Sequence, residues 1–332
     1  MPDEIRTWLL DETDPAVRLA ALTDLLGRPA DDAAVIEARR RMMADADIRR
    51  LMSAQNLDGS WGEPGRFYRD KYVGSVWTLL ILAELGADST DPGVKAACEY
   101  VLAHAQEPES GAFSVEESAR THTGVPGYVI PCLTGNMVYA LIRLGFLDDP
   151  RTQAAIGWIV ANQQADDGGF AGPRPTSIAR LTSCFGKHSC HMGVAKALKA
   201  LAAIPADRRS DAVKDKIAVL SEYFLIHRLY KKSHAVDEVG KPGWTKFGFP
   251  LMYQTDALEL LGIFASLGIR DPRLDDAVAL VAGKRNADGT WTLENTYNGK
   301  TRLRIERKGE PSRWITLKAL AALSFYAPES VE

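Results

Sequence analysis

Two kinds of helical segment alternate along the chain. One kind is apolar on nearly every side: DPAVRLAALTDLLG (Asp14 to Gly27), YVGSVWTLLILAELG (Tyr72 to Gly86), CLTGNMVYALIRLG (Cys132 to Gly145), CHMGVAKALKALAAI (Cys190 to Ile204), YQTDALELLGIFASLG (Tyr253 to Gly268) and WITLKALAALSFY (Trp314 to Tyr326). They are rich in Ala and Leu, which favour helix, and many end in Leu-Gly, a C-cap signal. The other kind has apolar residues at a period near 3.6 and a polar remainder. Asp91 to Gln106, Asp149 to Gln164 and Asp271 to Arg285 are of this kind, and each begins Asp-Pro, a cap followed by proline in the first turn. A helix apolar on most sides must be buried, and one apolar on one side covers it. The pattern therefore predicts an all-α fold of about six helical hairpins with inner and outer layers, over residues 1–332 as one domain. Such hairpins make an open solenoid or a closed ring. No polar capping repeat stands at either end, which points to the ring.

Between the helices a turn recurs: QNLDGSW (Gln55 to Trp61), QADDGGF (Gln164 to Phe170), RNADGTW (Arg285 to Trp291) and, degenerate, QEPESGAF (Gln106 to Phe113). Asp bonds its own backbone there and Gly supplies a positive φ. The shared glycines, Gly59, Gly111, Gly168 and Gly289, are 52, 57 and 121 residues apart. The last interval is close to two periods, so one copy is missing near residue 228. In its place runs His227 to Pro250, with Arg228, Lys231, Lys232, His234, Lys241, Lys246, Trp244, Phe247 and Phe249. Its cations suit a diphosphate or carboxylate and its aromatics an apolar pocket or a cation. The plain alternative is a solvated basic loop. In Asn298 to Trp314, Leu303 and Ile305 alternate with Arg302 and Arg304, which predicts a short strand or hairpin. Glu117 to Cys132 is a third loop at the same end, where His122 and Tyr128 face the cavity or simply connect.

Composition adds exclusions. The net charge of −3 leaves no footprint for nucleic acid or a strongly anionic membrane. MPDEIRTWLL lacks the basic and apolar regions of a secretory signal, and no apolar run reaches the roughly 18 residues of a membrane helix. Four cysteines are too few for a disulfide framework, so reduced thiols and a cytoplasmic location are the expectation, with metal binding open.

The three turns resemble the Gln-Trp repeats of squalene-hopene cyclases and related terpene cyclases. The paired-helix period resembles that superfamily and the β subunits of protein prenyltransferases, from about residue 14 to 326. The resemblance implies a single α/α toroid (an α6/α6 barrel) whose inner-helix N-termini surround the mouth of a central cavity. It also implies either an Asp-x-Asp-Asp acid motif or a zinc bound by Asp, Cys and His. The chain departs from both. It has no such tetrad: Asp166-Asp167 lies in a repeat turn, and Asp148-Asp149 and Asp275-Asp276 fall at outer-helix starts. Ordinary protonation-initiated cyclisation of squalene is not expected from it.

Cys132 and Cys190 head successive inner helices 58 residues apart, each with glycine three positions on, Gly135 and Gly193. In a ring such helices pack about 8–10 Å apart, and a helix N-terminus favours thiolate. Cys132, Cys184, Cys190 and His191 are the candidate zinc ligands, with His188 and Asp256 in reserve. Small buried side chains, or a redox thiol pair, are the alternatives. Cys98, His104 and His227 read as structural. Asp256 is a candidate proton donor, cap or metal ligand. Tyr128, Arg228, Lys231, Lys232, His234, Trp244, Tyr253 and Trp314 are candidate substrate contacts. The whole predicts an enzyme acting on an isoprenoid or other hydrophobic small molecule, with or without a diphosphate, or a non-catalytic toroid that binds such a ligand or a partner peptide. A carbohydrate-active α/α barrel is weaker, since only Asp256 offers a cleft carboxylate.

Overall fold

The computed structural model describes residues 1–169 and 183–330, so Phe170 of the third repeat turn lies outside the described residues. Thirteen α-helices stand among the described residues. Six are the apolar segments: α2 (Pro15–Ala20, continued by a π turn, Ala21–Leu25), α5 (Ser75–Leu85), α7 (Pro131–Arg143), α9 (His191–Ala202), α11 (Ala257–Ser266) and α13 (Arg313–Tyr326). The others are α1 (Asp3–Leu9), α3 (Ala33–Ala44), α4 (Ala46–Ser53), α6 (Pro92–His104), α8 (Pro150–Asn162), α10 (Asp211–Ile226) and α12 (Asp275–Gly283). The fold is all-α, with two minimal antiparallel ribbons: Lys231–Lys232 pairs with Ala235–Val239, and Trp291–Thr292 with Pro311–Ser312.

Packing follows the two kinds of helix. α5 packs on α7, α7 on α9, α9 on α11, α11 on α13, α13 on α2 and α2 on α5, so the succession returns to its start. Against these lie α3 on α2, α6 on α5, α8 on α7, α10 on α9 and α12 on α11. α1, from the other end of the chain, lies on α13. Arg313 reinforces that closure with an ion pair to Asp11 at 3.2 Å.

The Asp-Pro starts cap as expected. Asp91 accepts from the N–H groups of Gly93 and Val94, and Asp149 from that of Arg151. Asp271 instead caps a single 3-10 turn, Pro272–Leu274, and α12 begins after it. The repeat turns work as staples. The Gln55 amide donates to the carbonyl of Gly59 in its own turn and to that of Gly93 in the first turn of α6, both at 2.9 Å. Gln106 does the same to Gly111 and to Arg151 of α8, both at 2.7 Å. Gly59, at φ +88°, lies against the Ala96 backbone, where no side chain fits. Trp61, Phe113 and Trp291 are fully buried, and the indole N–H groups of Trp61 and Trp291 donate to Leu51 and Val281.

Residues 302–305 form no strand. Leu303 is buried and Arg304 exposed, so the alternation reports burial of a loop rather than sheet pairing.

Gly135 has a definite task. A methyl group there would overlap the backbone of Lys196 and Ala197, so its absence lets α7 and α9 approach closely. Gly135→Ala is expected to cost about 1–3 kcal/mol by overpacking, measured by urea denaturation. Gly157→Ala on α8, where nothing lies within 4 Å, is the control and should stabilise by up to about 1 kcal/mol.

Candidate functional site

The starts of α5, α7 and α9 and the segment entering α11 come together. Between them stands a box of aromatic rings. Tyr72 lies 4.5 Å from Tyr297, 5.1 Å from Trp77 and 6.4 Å from Tyr253, and Tyr68 lies 5.0 Å from Trp77, ring centre to ring centre. The Trp77 indole donates to the Tyr68 backbone carbonyl, which fixes the indole ring. The Lys71 ammonium stands 4.8 Å over Tyr68, 5.1 Å over Tyr253 and 5.9 Å over Trp77. Such faces attract positive charge through the ring quadrupole, so the box is a pre-built cation site with one cation of its own. Burial, then Tyr253, pushes the Tyr72 phenol up to about 12, so it stays neutral.

The loop that supplies Tyr297 has a second side. Thr296, Asn298, Gly299, Thr301 and Arg302 line a cleft of about 730 Å³ with Arg50, Arg304, Arg307 and Lys308. Arg50 is paired with Asp47. Arg304, Arg307 and Lys308 are exposed and have no carboxylate partner among the described residues. Arg302 donates to the Val73 carbonyl at 2.8 Å and Tyr72 N–H to that of Lys300, so box and cleft share one wall. Next to the cleft is a smaller pocket of about 200 Å³. Met42, Ile48, Leu85, Ile305 and Trp314 line it with Asp14 and Asp45, and Asp47, Leu303 and Arg304 are common to both. Trp314 itself is buried and stacked on Phe249 at 4.2 Å.

Deeper inside, the apolar helices carry charge. Glu259 of α11 accepts from Lys196 at 2.7 and 2.8 Å and from Lys199 at 2.9 Å, both on α9. Lys199 also bonds Glu84 of α5 and lies 4.2 Å over the Tyr139 ring of α7; Lys318 of α13 stands 3.9 Å from Glu84. The cavity beside this network, lined by Glu84, Lys199, Phe249, Asp256, Glu259 and Lys318 among others, holds only about 20 Å³. At that level the interior is filled.

Of the roles open to Asp256, the structure shows the cap: it is the N-cap of α11. One carboxylate oxygen accepts from Glu259 N–H at 2.8 Å, the other from Gly248 N–H at 3.0 Å. Threonine and aspartate before Ala257 favour a cap over another helical turn. Burial, the largest influence, pushes the carboxyl up to about 7 against those two N–H groups.

The expected zinc set does not assemble. Among the described residues no group of three or more His, Cys, Asp or Glu side chains is placed to hold a metal. His191 is enclosed by aromatic rings, stacked on Trp244 at 3.8 Å and edge-on to Phe224 at 4.8 Å. Burial, then His227, pulls its imidazole down to about 3, and neither ring nitrogen has a hydrogen-bond partner within bonding geometry among the described residues. The cysteines do gather: Cys190 and Cys184 both bear on Cys132, but burial, the larger influence, pushes its thiol up to about 12. Desolvation thus opposes the thiolate that the helix start was expected to favour. Cys98 is core.

Three cations of the loop that replaces the missing repeat are already paired, two with α12 and one within the loop. Arg228 and Lys231 pair with Asp276 at 2.8 and 2.7 Å, and Lys232 with Glu238 at 2.5 Å. His234 is exposed. Tyr128 is 53% exposed on its loop. Of the expected substrate contacts, only Tyr253 enters the box, Trp314 lines the small pocket and Trp244 covers His191. Sequence reading missed Tyr68, Lys71, Tyr72, Trp77 and Tyr297. It also passed over the interior charges, whose signal was one Lys or Glu within each of several otherwise apolar helices. Asp167 and His227, read as structural, face each other at 3.4 Å, with His188 at 3.2 Å from the same oxygen.

No protein-family model matches the chain, and no curated protein does. Among solved structures it is similar to variants of type II terpene cyclase MstE from Scytonema. One, in complex with geranylgeranyl dihydroxybenzoate, shares 15% identity over 87% of this chain and 97% of that one, with a TM-score of 0.29. Another, in complex with merosterolic acid A, shares 14% over the same spans with a TM-score of 0.30. Scores this low establish neither a common fold nor a common activity. No described helix is long and apolar enough to cross a membrane.

Proposed function

We propose that the closed succession of helices is a single α/α toroid, and that it takes an isoprenoid or comparably hydrophobic molecule bearing an anionic head such as a diphosphate. One observation carries this reading. The loop 296–302 presents Tyr297 to the aromatic box and its neighbours to the basic cleft. A molecule lying over that loop meets π faces suited to an apolar or positively charged body and guanidinium groups suited to an anion. In an enzyme of terpene cyclase or prenyltransferase type, these faces stabilise positive charge developing in the chain and the cleft holds the anionic group. Asp256, whose buried carboxyl is raised to about 7, is a candidate proton reservoir. This reading is built without zinc, since among the described residues the expected ligands are not grouped to hold a metal.

A second reading, a toroid that binds the same ligand without turnover, is favoured by the filled interior. The cavity at Asp256 holds about 20 Å³, too little for a substrate.

The test is a binding series with a long-chain isoprenoid diphosphate, the matching alcohol and inorganic diphosphate, followed by calorimetry and tryptophan fluorescence. The diphosphate should bind tightest. Arg304→Ala with Arg307→Ala should weaken it about tenfold or more, bringing it toward the alcohol. Tyr72→Ala should weaken both. Equal binding to parent and variants sinks the proposal, and mass analysis of the incubated ligand separates turnover from binding.

A further inference from the structure

Cys184 and Cys190 close a tight hairpin. Phe185 and Ser189 form an antiparallel bridge, and just outside it the Cys190 N–H donates to the Cys184 carbonyl at 2.8 Å. Residues facing each other in a hydrogen-bonded antiparallel pair have Cα atoms about 5.5 Å apart and side chains on the same face. That falls within the span of about 4.4–6.8 Å that a disulfide bridges. Both residues are part-exposed free thiols. Further backbone bonds hold the hairpin in place: Gly168 N–H donates to Lys187 and Ser189 N–H to Asp166, at 2.9 and 2.8 Å. The register therefore puts both side chains on one face of a braced hairpin.

We infer that Cys184 and Cys190 are a dithiol modification site, oxidised reversibly to an intramolecular disulfide by a low-molecular-weight disulfide. Cys190 is the N-cap of α9, and it reacts as its thiolate, the nucleophilic form of a cysteine. That thiolate attacks one sulfur of the reagent, forms a mixed disulfide and expels one small thiolate. The Cys184 thiolate then attacks the Cys190 sulfur and expels the second. The two protein thiols lose two electrons and two protons, and the reagent leaves as two thiols. The new bond fastens the hairpin to the first turn of α9, next to the aromatic box, where the Cys184 and Cys132 thiols both bear on Tyr68. Cys132, on α7, is the neighbouring thiol that the hairpin register leaves out.

Oxidised glutathione is the probe, with intact-mass and peptide-mapping readouts on the full chain. The expected product has lost two hydrogens, carries no adduct and yields a Cys184–Cys190 cross-linked peptide; dithiothreitol restores the parent mass. Cys132→Ser should still form the bond. Cys184→Ser and Cys190→Ser should stop at a glutathione adduct on the remaining cysteine. A bond to Cys132, a lasting adduct on the unaltered chain or four untouched thiols overturns the inference. Mapping of the unaltered chain decides the matter even where a variant folds poorly.

Discussion

Glu259→Ala is expected to cost about 3–5 kcal/mol of folding free energy, the usual penalty for removing one partner of a buried ion pair. The substitution leaves the Lys196 and Lys199 ammoniums facing a void. Lys196 is 1% exposed and has no other acceptor within hydrogen-bond reach among the described residues. The carboxyl also sets an acid limb. Burial, the largest influence, opposes its ionisation, but the Lys196 and Lys199 charges overcome this and hold it at about 2. A carboxyl depressed in the folded state contributes stability above its unfolded value, near 4.3, and loses it as pH falls through about 2. Urea denaturation at pH 7 and at pH 3 should show the gap between parent and variant narrowing in acid. A loss under 1 kcal/mol at pH 7 would mean that the lysines find water or another anion instead. Glu259→Leu is the companion measurement: it fills volume but leaves the charges, and should be nearly as damaging.

That network marks where sequence reading stopped. The helices themselves were legible because burial imposes composition. A segment such as SVWTLLILAEL has no polar face, so it had to be interior, and the Asp-Pro starts had to be caps. The repeat turns were legible for the same reason: Gly59 and Trp61 each answer a local demand, one for φ and one for a buried ring. Glu84, Lys199 and Glu259 answer a demand that exists only between helices. Each looks like an isolated blemish in its own segment, and only the ring of contacts brings both carboxylates within 3 Å of Lys199. Gly135 is intermediate. Its recurrence at Gly193 was visible, but its purpose, the close approach of two backbones, belongs to the pair.

The site failed to read for a further reason. Aromatic residues before a helix look like ordinary boundary residues, so Tyr68 and Tyr72 drew no attention. The box depends on Tyr297, more than 220 residues downstream. Basic runs misled in the opposite direction. Arg228 and Lys231 looked available because Asp276 is 48 and 45 residues away in sequence, whereas Arg304, read as a strand residue, and Arg307 have no carboxylate partner among the described residues. Histidine beside cysteine suggested a metal, and nothing local showed that Trp244 would stack on that ring.

Asp256 gives the second large effect, with the opposite sign to Glu259. Moving a carboxyl from its ordinary value near 4 to about 7 corresponds to about 4 kcal/mol. The folded chain keeps a proton there that the unfolded chain releases. Stability is therefore expected to fall as pH rises from about 4 to about 7, and to level off above that. Asp256→Ser isolates the contribution: its hydroxyl still accepts from Glu259 N–H, but it does not titrate. Glu259, Glu84, Lys196, Lys199 and Lys318 surround the site in both proteins, so their titrations cancel to first order in the difference. Urea denaturation from pH 4.5 to 7.5 should show the parent losing its lead over the serine variant as pH rises. A constant difference across that range would mean the carboxyl is already ionised in the folded state. The same proton is the one Asp256 would supply if the proposed chemistry uses an acid. A flat difference would remove Asp256 as a donor and leave the aromatic box as a binding site without an acid, which is the second reading of this fold.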